Sequence, residues 1–187
     1  MPILAQQPDI YPSDLLDQPV DVAGSDRTWW AIYTLARREK ALMDRLFRAG
    51  IPFYSPLIKQ KSHSPSGRRL VSWLPLFPAY VFLYGNEEHR YQALKSNCIS
   101  RILPVVDSAP LVRDLRQIRR LIAADAPLTR EARFQPGTRV RVRTGPLAGL
   151  EGLVIKRRGQ DQLLVAVKFL QQGASVAIED FLVEPID

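Results

Sequence analysis

Residues 139–155, RVRVRTGPLAGLEGLVI, constrain the fold more than any other stretch, because they specify two strands and the turn between them. Val140 and Val142 alternate with arginines, which is the period-two pattern of a strand with one apolar and one cationic face. Glycines and a proline then supply the backbone freedom and the fixed φ of a turn. Leu153–Ile155 resumes a strand that ends in three basic residues. The stretch predicts the opening of a small, basic, closed β-barrel.

Further motifs carry a family resemblance. Gly145–Gly152 (GPLAGLEG) resembles the KOW motif, an element of SH3-like barrels in transcription elongation factors and some ribosomal proteins. Trp29–Tyr33 (WWAIY) and Pro75–Phe82 (PLFPAYVF) resemble the N-terminal domain of the NusG family, in the family's order. Phe134–Gly137 (FQPG) resembles the lead-in to the barrel. On these motifs the chain is identified as a member of the NusG family.

The resemblance extends over about residues 28–186 and implies an α+β fold. An N-terminal antiparallel sheet packed with helices would be followed by a small SH3-like β-barrel, the KOW domain. Ala79 stands where the general factors usually have Gly, and a variable residue at this point is also found in specialised paralogues. The chain therefore also resembles the specialised paralogues of the RfaH type.

Composition and pattern divide the chain into four predicted segments. Residues 1–26 contain five Asp, no Lys or Arg and few large apolar residues, which predicts a disordered acidic tail. Residues 27–125 interleave strand and helix patterns, as in an α+β domain with helices on a mainly antiparallel sheet. Two prolines among polar residues mark a linker over 126–136, and the barrel occupies 137–187.

Within the first domain, apolar spacing predicts three helices. They cover Arg37–Ala49, with Gly50 as the stop signal, then a short helix opened by Asn86, and finally Leu111–Ile122. Residues 59–69 are polar and contain Gly, Ser and Pro, so we expect a mobile basic hairpin or loop there.

The net charge of +7 is unevenly distributed along the chain. Residues 27–125 contain 17 basic and 7 acidic side chains, whereas residues 126–187 contain 9 and 7. The basic field therefore belongs to the first domain. A field of that sign attracts phosphate backbones or acidic protein surfaces.

The residues of catalytic and metal sites are scarce. Cys98 is the only cysteine, so no internal disulfide forms and a reducing cytoplasm is expected. His63 and His89 lack a neighbouring Cys or paired carboxylates, and the glycine spacing fits no nucleotide-binding loop. We therefore expect no enzyme, no metal and no cofactor. No signal peptide is recognised, and the longest apolar run, Trp73–Tyr84, is too short and proline-interrupted for a membrane helix.

Four aromatic residues form the first candidate site: Tyr33, Phe77, Tyr80 and Phe82. Alternate residues of a strand share a face, so Tyr80 and Phe82 lie together, and Tyr33 joins them if its strand is adjacent. On the residues alone, core packing is the favoured explanation. The resemblance implies instead, for some of them, a surface that binds the clamp helices of RNA polymerase, a task for which aromatic anchors are suited.

Seven basic residues form the second candidate site: Arg37, Arg38, Arg45, Lys59, Lys61, Arg68 and Arg69. An ordinary solvated surface explains each residue singly, but the charge of the whole domain indicates a nucleic-acid face. The resemblance implies that this side approaches the upstream DNA fork and the non-template strand. Arginine binds phosphates bidentately, and aromatic planes stack on unpaired bases.

Leu147, Leu150 and Leu170 form a third candidate set. Barrel core and partner contact explain them equally well. The resemblance implies that apolar loop residues near these positions contact a small-subunit ribosomal protein or a termination helicase.

Together these features predict a monomeric, non-catalytic transcription elongation or antitermination factor. Its first domain would bind the RNA polymerase clamp and suppress pausing or termination, while the KOW domain recruits a further partner. The alternative is a KOW-type RNA-binding or ribosome-associated protein whose arginine-rich strands contact RNA. An enzyme acting on nucleic acid has no supporting residues.

Overall fold

The computed structural model describes residues 7–20, 22–133, 136–178 and 182–186. The chain divides into two compact units, residues 1–108 and 109–187. Every strand pairing among the described residues is antiparallel, and these residues form three α-helices. The predicted combination of helices with antiparallel sheets is confirmed.

The described residues of the first unit form seven strands and two helices. In chain order these are β1 (Ile10–Tyr11), β2 (Thr28–Thr34), α1 (Glu39–Arg48), β3 (Phe53–Tyr54), β4 (Leu57–His63), β5 (Arg69–Pro75), β6 (Tyr80–Gly85), α2 (Glu87–Leu94) and β7 (Ile99–Pro104). Five strands build one sheet in the order β1-β3-β6-β2-β7, and β4 pairs with β5 as a separate two-stranded hairpin.

Helix α1 forms because apolar residues recur along one side of it, and that side packs into the core of the first unit. Leu42 and Leu46 are buried in one cluster with Ile32 of β2 and Leu83 of β6. Gly50 follows the helix with a φ of +67°, the left-handed conformation that commonly ends helices. The predicted helix and its stop signal are confirmed.

Helix α2 begins at the predicted cap, Asn86. The Asn86 side chain accepts a hydrogen bond from the His89 backbone N–H at 3.1 Å, and His89 Nδ1 accepts one from the Asn86 N–H at 3.3 Å. This reciprocal pair satisfies two of the backbone donors that a helix start leaves free. His89 is thus engaged in capping the helix.

The N-terminal segment is folded onto the first unit, so the prediction of a disordered tail over residues 1–26 is wrong for its described part. Strand β1 extends the sheet beside β3, with Ile10 opposite Tyr54. Leu15 and Leu16 are 3% and 0% exposed. Two adjacent leucines and one edge strand therefore bury apolar area in a segment whose average composition is polar. Residues 1–6 and 21 lie outside the described residues.

The described residues of the second unit form one helix, six strands and a 3-10 turn. In chain order these are α3 (Ser108–Ala123), which begins at the unit boundary, β8 (Thr129–Glu131), β9 (Thr138–Val142), β10 (Glu151–Arg157), β11 (Gln160–Val167), the 3-10 turn (Lys168–Leu170), β12 (Gln172–Ala177) and β13 (Val183–Pro185). The strand order is β13-β9-β10-β11-β12-β8. Closure of this sheet into an SH3-like KOW barrel stays a prediction.

Strands β9 and β10 follow the predicted pattern. Val140 and Val142 are buried, while the arginines that alternate with them are exposed. The turn between the strands includes Gly149, with a φ of +82°. On β10, a Cβ added at Gly152 would lie 2.5 Å from the Leu164 carbonyl oxygen, so a residue with a side chain would push the β10–β11 pair apart.

Residues 126–136 do more than link two domains, which corrects the predicted linker. Strand β8 lies within this segment and pairs with β12, and the Glu131 carboxylate accepts hydrogen bonds from Arg157 Nη1 and Ser175 Oγ, both at 2.6 Å. The first unit ends at Ser108 instead of near residue 125, because α3 groups with the second unit. Phe134 and Gln135, part of the predicted barrel lead-in, lie outside the described residues.

Candidate functional site

Tyr33 and Tyr80 form a half-buried aromatic pair on the sheet of the first unit. They are register partners on β2 and β6, and their rings meet edge to face with centroids 5.2 Å apart. The Arg101 guanidinium from β7, on the other side of Tyr33, lies 5.1 Å from the centroid of the Tyr33 ring. The predicted adjacency of Tyr33 and Tyr80 is confirmed. We call Tyr33, Tyr80 and Arg101 the tyrosine surface.

Phe77 and Phe82 are core residues, 1% and 0% exposed, so the structure contradicts their prediction as partner-binding residues. On β6, Phe82 lies opposite Tyr54 of β3, inside the sheet. Tyr80 begins the strand beyond the last β3 pairing, which leaves one of its flanks without a neighbouring strand. Position along the strand, which the sequence does not reveal, makes Tyr80 half-buried and Phe82 a core residue.

A buried carboxylate holds the turn that carries Tyr80. Ala79 has a φ of +67°, and its N–H donates to Glu39 Oε1 at 2.7 Å. The Ala79 carbonyl accepts from the Thr34 N–H at 2.8 Å, which connects the turn to the end of β2 beside Tyr33. Glu39, at the first position of α1, therefore holds the turn that connects β6, with Tyr80, to the end of β2, with Tyr33. Sequence reasoning missed Glu39 and Arg101 because neither belongs to a motif.

The seven predicted basic residues are all exposed, but they lie on separate elements. Arg37 and Arg38 precede α1, and Arg45 lies on its outer side. The remaining four belong to the hairpin: Lys59 and Lys61 on β4, Arg68 in the turn and Arg69 at the start of β5. The hairpin alternative for residues 59–69 is therefore the one that the structure shows.

Of the three predicted leucines of the second unit, two are core residues. Leu147 and Leu150 are 4% and 0% exposed, which contradicts their prediction as partner-binding residues. The turn between β9 and β10 folds over itself, with the Gly149 N–H donating to the Val142 carbonyl, and so turns both leucines inward. Leu170 is half-buried in the 3-10 turn, beside Phe169, a more exposed residue that sequence reasoning missed.

Helix α3 is fastened to the sheet of the second unit by three side chains spaced one turn apart. Asp114 Oδ2 accepts from the Lys168 N–H at 3.0 Å, and Gln117 Oε1 accepts from the Glu151 N–H at 2.7 Å. Arg120 Nη2 donates to the Ala148 carbonyl at 2.6 Å. Burial raises the pKa of Asp114, although the hydrogen bond from Lys168 opposes that shift. These contacts fix both segments that carry the predicted leucines.

A cavity of ≈ 410 Å³ lies against α3 in the second unit. Its lining includes Asp114 and Gln117 together with three charged side chains of the sheet and its 3-10 turn: Arg139, Glu151 and Lys168. Charged residues of both signs, including Arg113 of α3, line this cavity. Two of the three side chains that fasten α3, Asp114 and Gln117, thus also line the cavity.

Metal-holding side-chain groups and membrane-spanning helices are not found in the described part of the chain. No group of three His, Cys, Asp or Glu side chains there is arranged to hold a metal ion. None of its helices combines the length and the apolar character that crossing a bilayer requires. Cys98 is buried.

The structure thus combines an aromatic surface and exposed cationic strands with antiparallel sheets in two units. The chain belongs to the NusG family: the family model described as "Transcription termination factor nusG" matches residues 27–130, more than half of the chain. It is therefore a transcription factor of the elongation-factor kind, and the predicted family is confirmed.

Other comparisons add little to the family match. No curated protein matches the chain. Among solved structures, the crystal structure of an MjSpt4:Spt5 complex in conformation A is similar, with 13% sequence identity and a TM-score of 0.31. That match covers 85% of this chain and 99% of the other.

Proposed function

We propose that this protein binds the clamp helices of RNA polymerase through the tyrosine surface and suppresses pausing or termination during elongation. The observation that carries the proposal is the Tyr33–Tyr80 pair, with rings 5.2 Å apart on adjacent strands and neither ring fully buried. Such rings bury a large area on docking with few rotatable bonds to immobilise. Family membership supports the link to transcription.

The tyrosine surface is held in place before any partner binds. Glu39 fixes the turn that begins β6, and the Arg101 guanidinium rests against the Tyr33 ring. A rigid surface loses little conformational entropy on association, so more of its contact energy remains as affinity. Binding that favours one polymerase conformation over another shifts the polymerase toward that conformation without any chemical step.

The second unit, on this proposal, is a KOW-type SH3-like barrel that recruits a further partner, a small-subunit ribosomal protein or a termination helicase. Phe169 and Leu170 support such contact, because their side chains are exposed and half-buried at the corner between β11 and β12. They take the place of Leu147 and Leu150, which are buried.

The test of the clamp proposal is the affinity for RNA polymerase measured without nucleic acid. Replacing Tyr33 and Tyr80 by Ala is expected to weaken binding by about 2 kcal/mol or more, roughly thirtyfold, as for interface anchors. Tyr91→Ala is the matched control, because Tyr91 is 55% exposed on α2 and lies outside the tyrosine surface. A folded double variant with the affinity of the unmodified protein would refute the proposal.

Direct RNA binding by the second unit is the alternative function, and the charges of β9 weigh against it. Arg141 pairs with Glu151 at 2.8 Å, and Arg143 pairs with Glu184 at 3.5 Å. Arg139 lies 3.8 Å from the same Glu151. An RNA phosphate would have to displace carboxylates already bound to these arginines. If the protein bound RNA through the second unit in the absence of polymerase, direct RNA binding would be the supported function.

A further inference from the structure

The cavity against α3 has the size of a small-molecule site. Its volume of ≈ 410 Å³ lies within the usual range of ligand pockets, about 300–1,000 Å³. All of its lining residues belong to the second unit. The register between β10 and β11 ends with Leu153 opposite Leu164, and Gly152 and Ala166, which follow on the two strands, line the cavity with them. The cavity therefore lies beside α3, where the pairing of β10 with β11 ends.

The lining residues that are both charged and exposed are all cationic. They are Arg113 of α3, Arg139 of β9 and Lys168 of the 3-10 turn. The two carboxylates of the lining are less exposed, because Asp114 is 4% exposed and Glu151 is half-buried. An anionic group that enters from solvent therefore meets positive charge first.

Two of these cations, Arg113 and Lys168, form no salt bridge with another described residue. Both lie close to the buried carboxyl group of the lining. Burial raises the pKa of Asp114, and the nearby charges of Lys168 and Arg113 oppose that rise. Binding an anion at Arg113 and Lys168 would thus break no internal ion pair, and both cations keep their attraction for it.

Asp114 and Gln117 offer an acceptor beside a donor, one helical turn apart on α3. Asp114 Oδ2 accepts from the Lys168 N–H, and Gln117 Oε1 accepts from the Glu151 N–H. Within the described part of the chain, the other carboxylate oxygen of Asp114 and the amide nitrogen of Gln117 make no hydrogen bond. Residues three apart on a helix are neighbours, so these two atoms can pair with an N–H and an adjacent acceptor on one ligand.

Apolar residues complete the lining: Pro136, Leu153, Leu164 and Ala166. Such a surface favours contact with a flat aromatic ring, which loses water on binding. A ligand that matches the whole lining has a ring, a donor beside an acceptor on the edge of that ring, and an anionic group. Nucleobases carry donors beside acceptors on their edges, and the phosphate of a nucleotide supplies the anion.

We propose that this cavity binds a free nucleoside phosphate, with the edge of the base on Asp114 and Gln117 and the phosphate on Arg113 and Lys168. A free nucleotide is favoured over a strand because the neighbouring arginines of β9 are paired. Their partners are Glu151 and Glu184, so further phosphates would find no unpaired cation there. Since α3 and the sheet both contribute contacts, the bound nucleotide would hold α3 more tightly on the sheet.

Isothermal titration calorimetry of the full-length protein with AMP, GMP, CMP and UMP measures the binding. At least one of these nucleotides is expected to bind with a Kd below about 1 mM. That nucleotide should also raise the Tm, because a ligand that binds only the folded protein stabilises it. Its nucleoside and inorganic phosphate, added separately, are each expected to bind at least about tenfold more weakly, since each lacks part of the proposed contacts.

Asp114→Asn separates recognition of the base from attraction of the phosphate. The asparagine oxygen can still accept from the Lys168 N–H, but the amide nitrogen then donates where the carboxylate oxygen accepted. Loss of a negative charge would by itself strengthen the binding of an anion. We expect instead that nucleotide binding weakens about tenfold, because the donor on the base then faces another donor.

Lys168→Gln and Lys156→Gln test the phosphate contact against net charge. Each removes one lysine charge from the second unit, but Lys156, exposed on β10, does not line the cavity. Lys168→Gln retains the backbone N–H that Asp114 accepts from. It is expected to weaken nucleotide binding about fivefold through loss of a charge-assisted hydrogen bond, and to leave nucleoside binding unchanged. Lys156→Gln should change nucleotide affinity less than about twofold, because salt screens an exposed charge that makes no contact.

Several results would overturn the inference. One is the absence of binding by all four nucleotides up to about 1 mM. Tighter binding by Asp114→Asn, or equal weakening by Lys168→Gln and Lys156→Gln, would show that charge alone attracts the ligand. Tighter binding of the trinucleotide UpUpU than of UMP would make an RNA strand the occupant instead of a free nucleotide. The inference goes beyond the proposed function and does not involve the tyrosine surface, so Lys168→Gln should leave polymerase affinity unchanged and the two proposals fail separately.

Discussion

The hairpin of the first unit and strand β9 of the second both carry exposed cations at alternate positions, yet only those of β9 face acidic residues on the neighbouring strands. On β9, the register brings Arg141 opposite Glu151 on one side and Glu184 on the other. On the hairpin, Lys59 and Lys61 face Trp73 and Val71. Similar strands of alternating cations thus differ in ion pairing because their neighbours across the sheet differ.

The contrast arises from how acidic residues are distributed along the chain and then folded together. Glu151 and Glu184 are 33 residues apart in sequence, but both strands flank β9, so they neutralise its cationic face. The hairpin closes on itself within 19 residues that include no acid. A strand that pairs only with its immediate neighbour keeps the charge its own segment provides.

The largest effect expected from this contrast is on nucleic-acid affinity. Neutralising the four hairpin cations, Lys59, Lys61, Arg68 and Arg69, to Gln should weaken single-strand binding by at least about 100-fold at 0.1 M salt, because each phosphate contact contributes roughly fivefold. The comparison variant, which removes three charges in place of four, changes Arg139, Arg141 and Arg143 to Gln and should reduce affinity less than threefold. Fluorescence anisotropy with oligo(dT) measures both, and equal losses would abolish the distinction between the two regions.

A smaller effect is expected on stability, and it is expected in the second unit instead of in the hairpin. Arg157 donates to Glu131, whose side chain is 4% exposed, so Arg157→Gln leaves a buried carboxylate without its cation and should cost about 2 kcal/mol. Arg143→Gln breaks an ion pair with both side chains exposed and should cost less than about 1 kcal/mol.

The matched hairpin variant for this stability test is Lys61→Gln, which removes no ion pair and should leave the free energy of unfolding unchanged. Urea unfolding of the three full-length variants provides the measurement. If Lys61→Gln destabilised the protein as much as Arg157→Gln, the hairpin cations would be structural and the contrast would fail.

The smallest expected effect concerns pH and the contact between α3 and the sheet. Burial raises the pKa of Asp114, so its ionised form is less favourable in the folded protein than in the unfolded chain. Its contribution to stability therefore falls as pH rises from the ordinary value of 3.8 through the higher folded pKa. Asp114→Asn can still accept from the Lys168 N–H and lacks this titration.

The stability of Asp114→Asn relative to the unmodified protein should accordingly be greater at pH 7 than at pH 3. Thermal unfolding at the two pH values measures the difference, and Asp44→Asn, in an exposed pair with Arg48, is the control. If the stability of Asp114→Asn relative to the unmodified protein were the same at both pH values, or lower at pH 7, the folded protein would not disfavour the ionised form of Asp114.

Features that depend on neighbours along the chain could be predicted, whereas features that depend on neighbours across the sheet could not. The Asn86 cap and the buried valines of β9 follow from local spacing, and both are present in the structure. Phe82 and Tyr80 are two residues apart with the same alternation, yet the first is core and the second is part of the tyrosine surface. Phe82 has a register partner on β3, whereas Tyr80 lies beyond the last β3 pairing.

The sequence by itself determined the family, the mixture of helices and antiparallel strands, and the concentration of positive charge before residue 126, since motifs, periodicity and composition are properties of the chain. The tertiary structure decided which of those charges remain unpaired and which aromatics reach the surface. It also decided that Leu15 and Leu16 fold into the core. Ion pairs and buried contacts form between residues that are distant in sequence. The register of the strands decides which of these residues become neighbours.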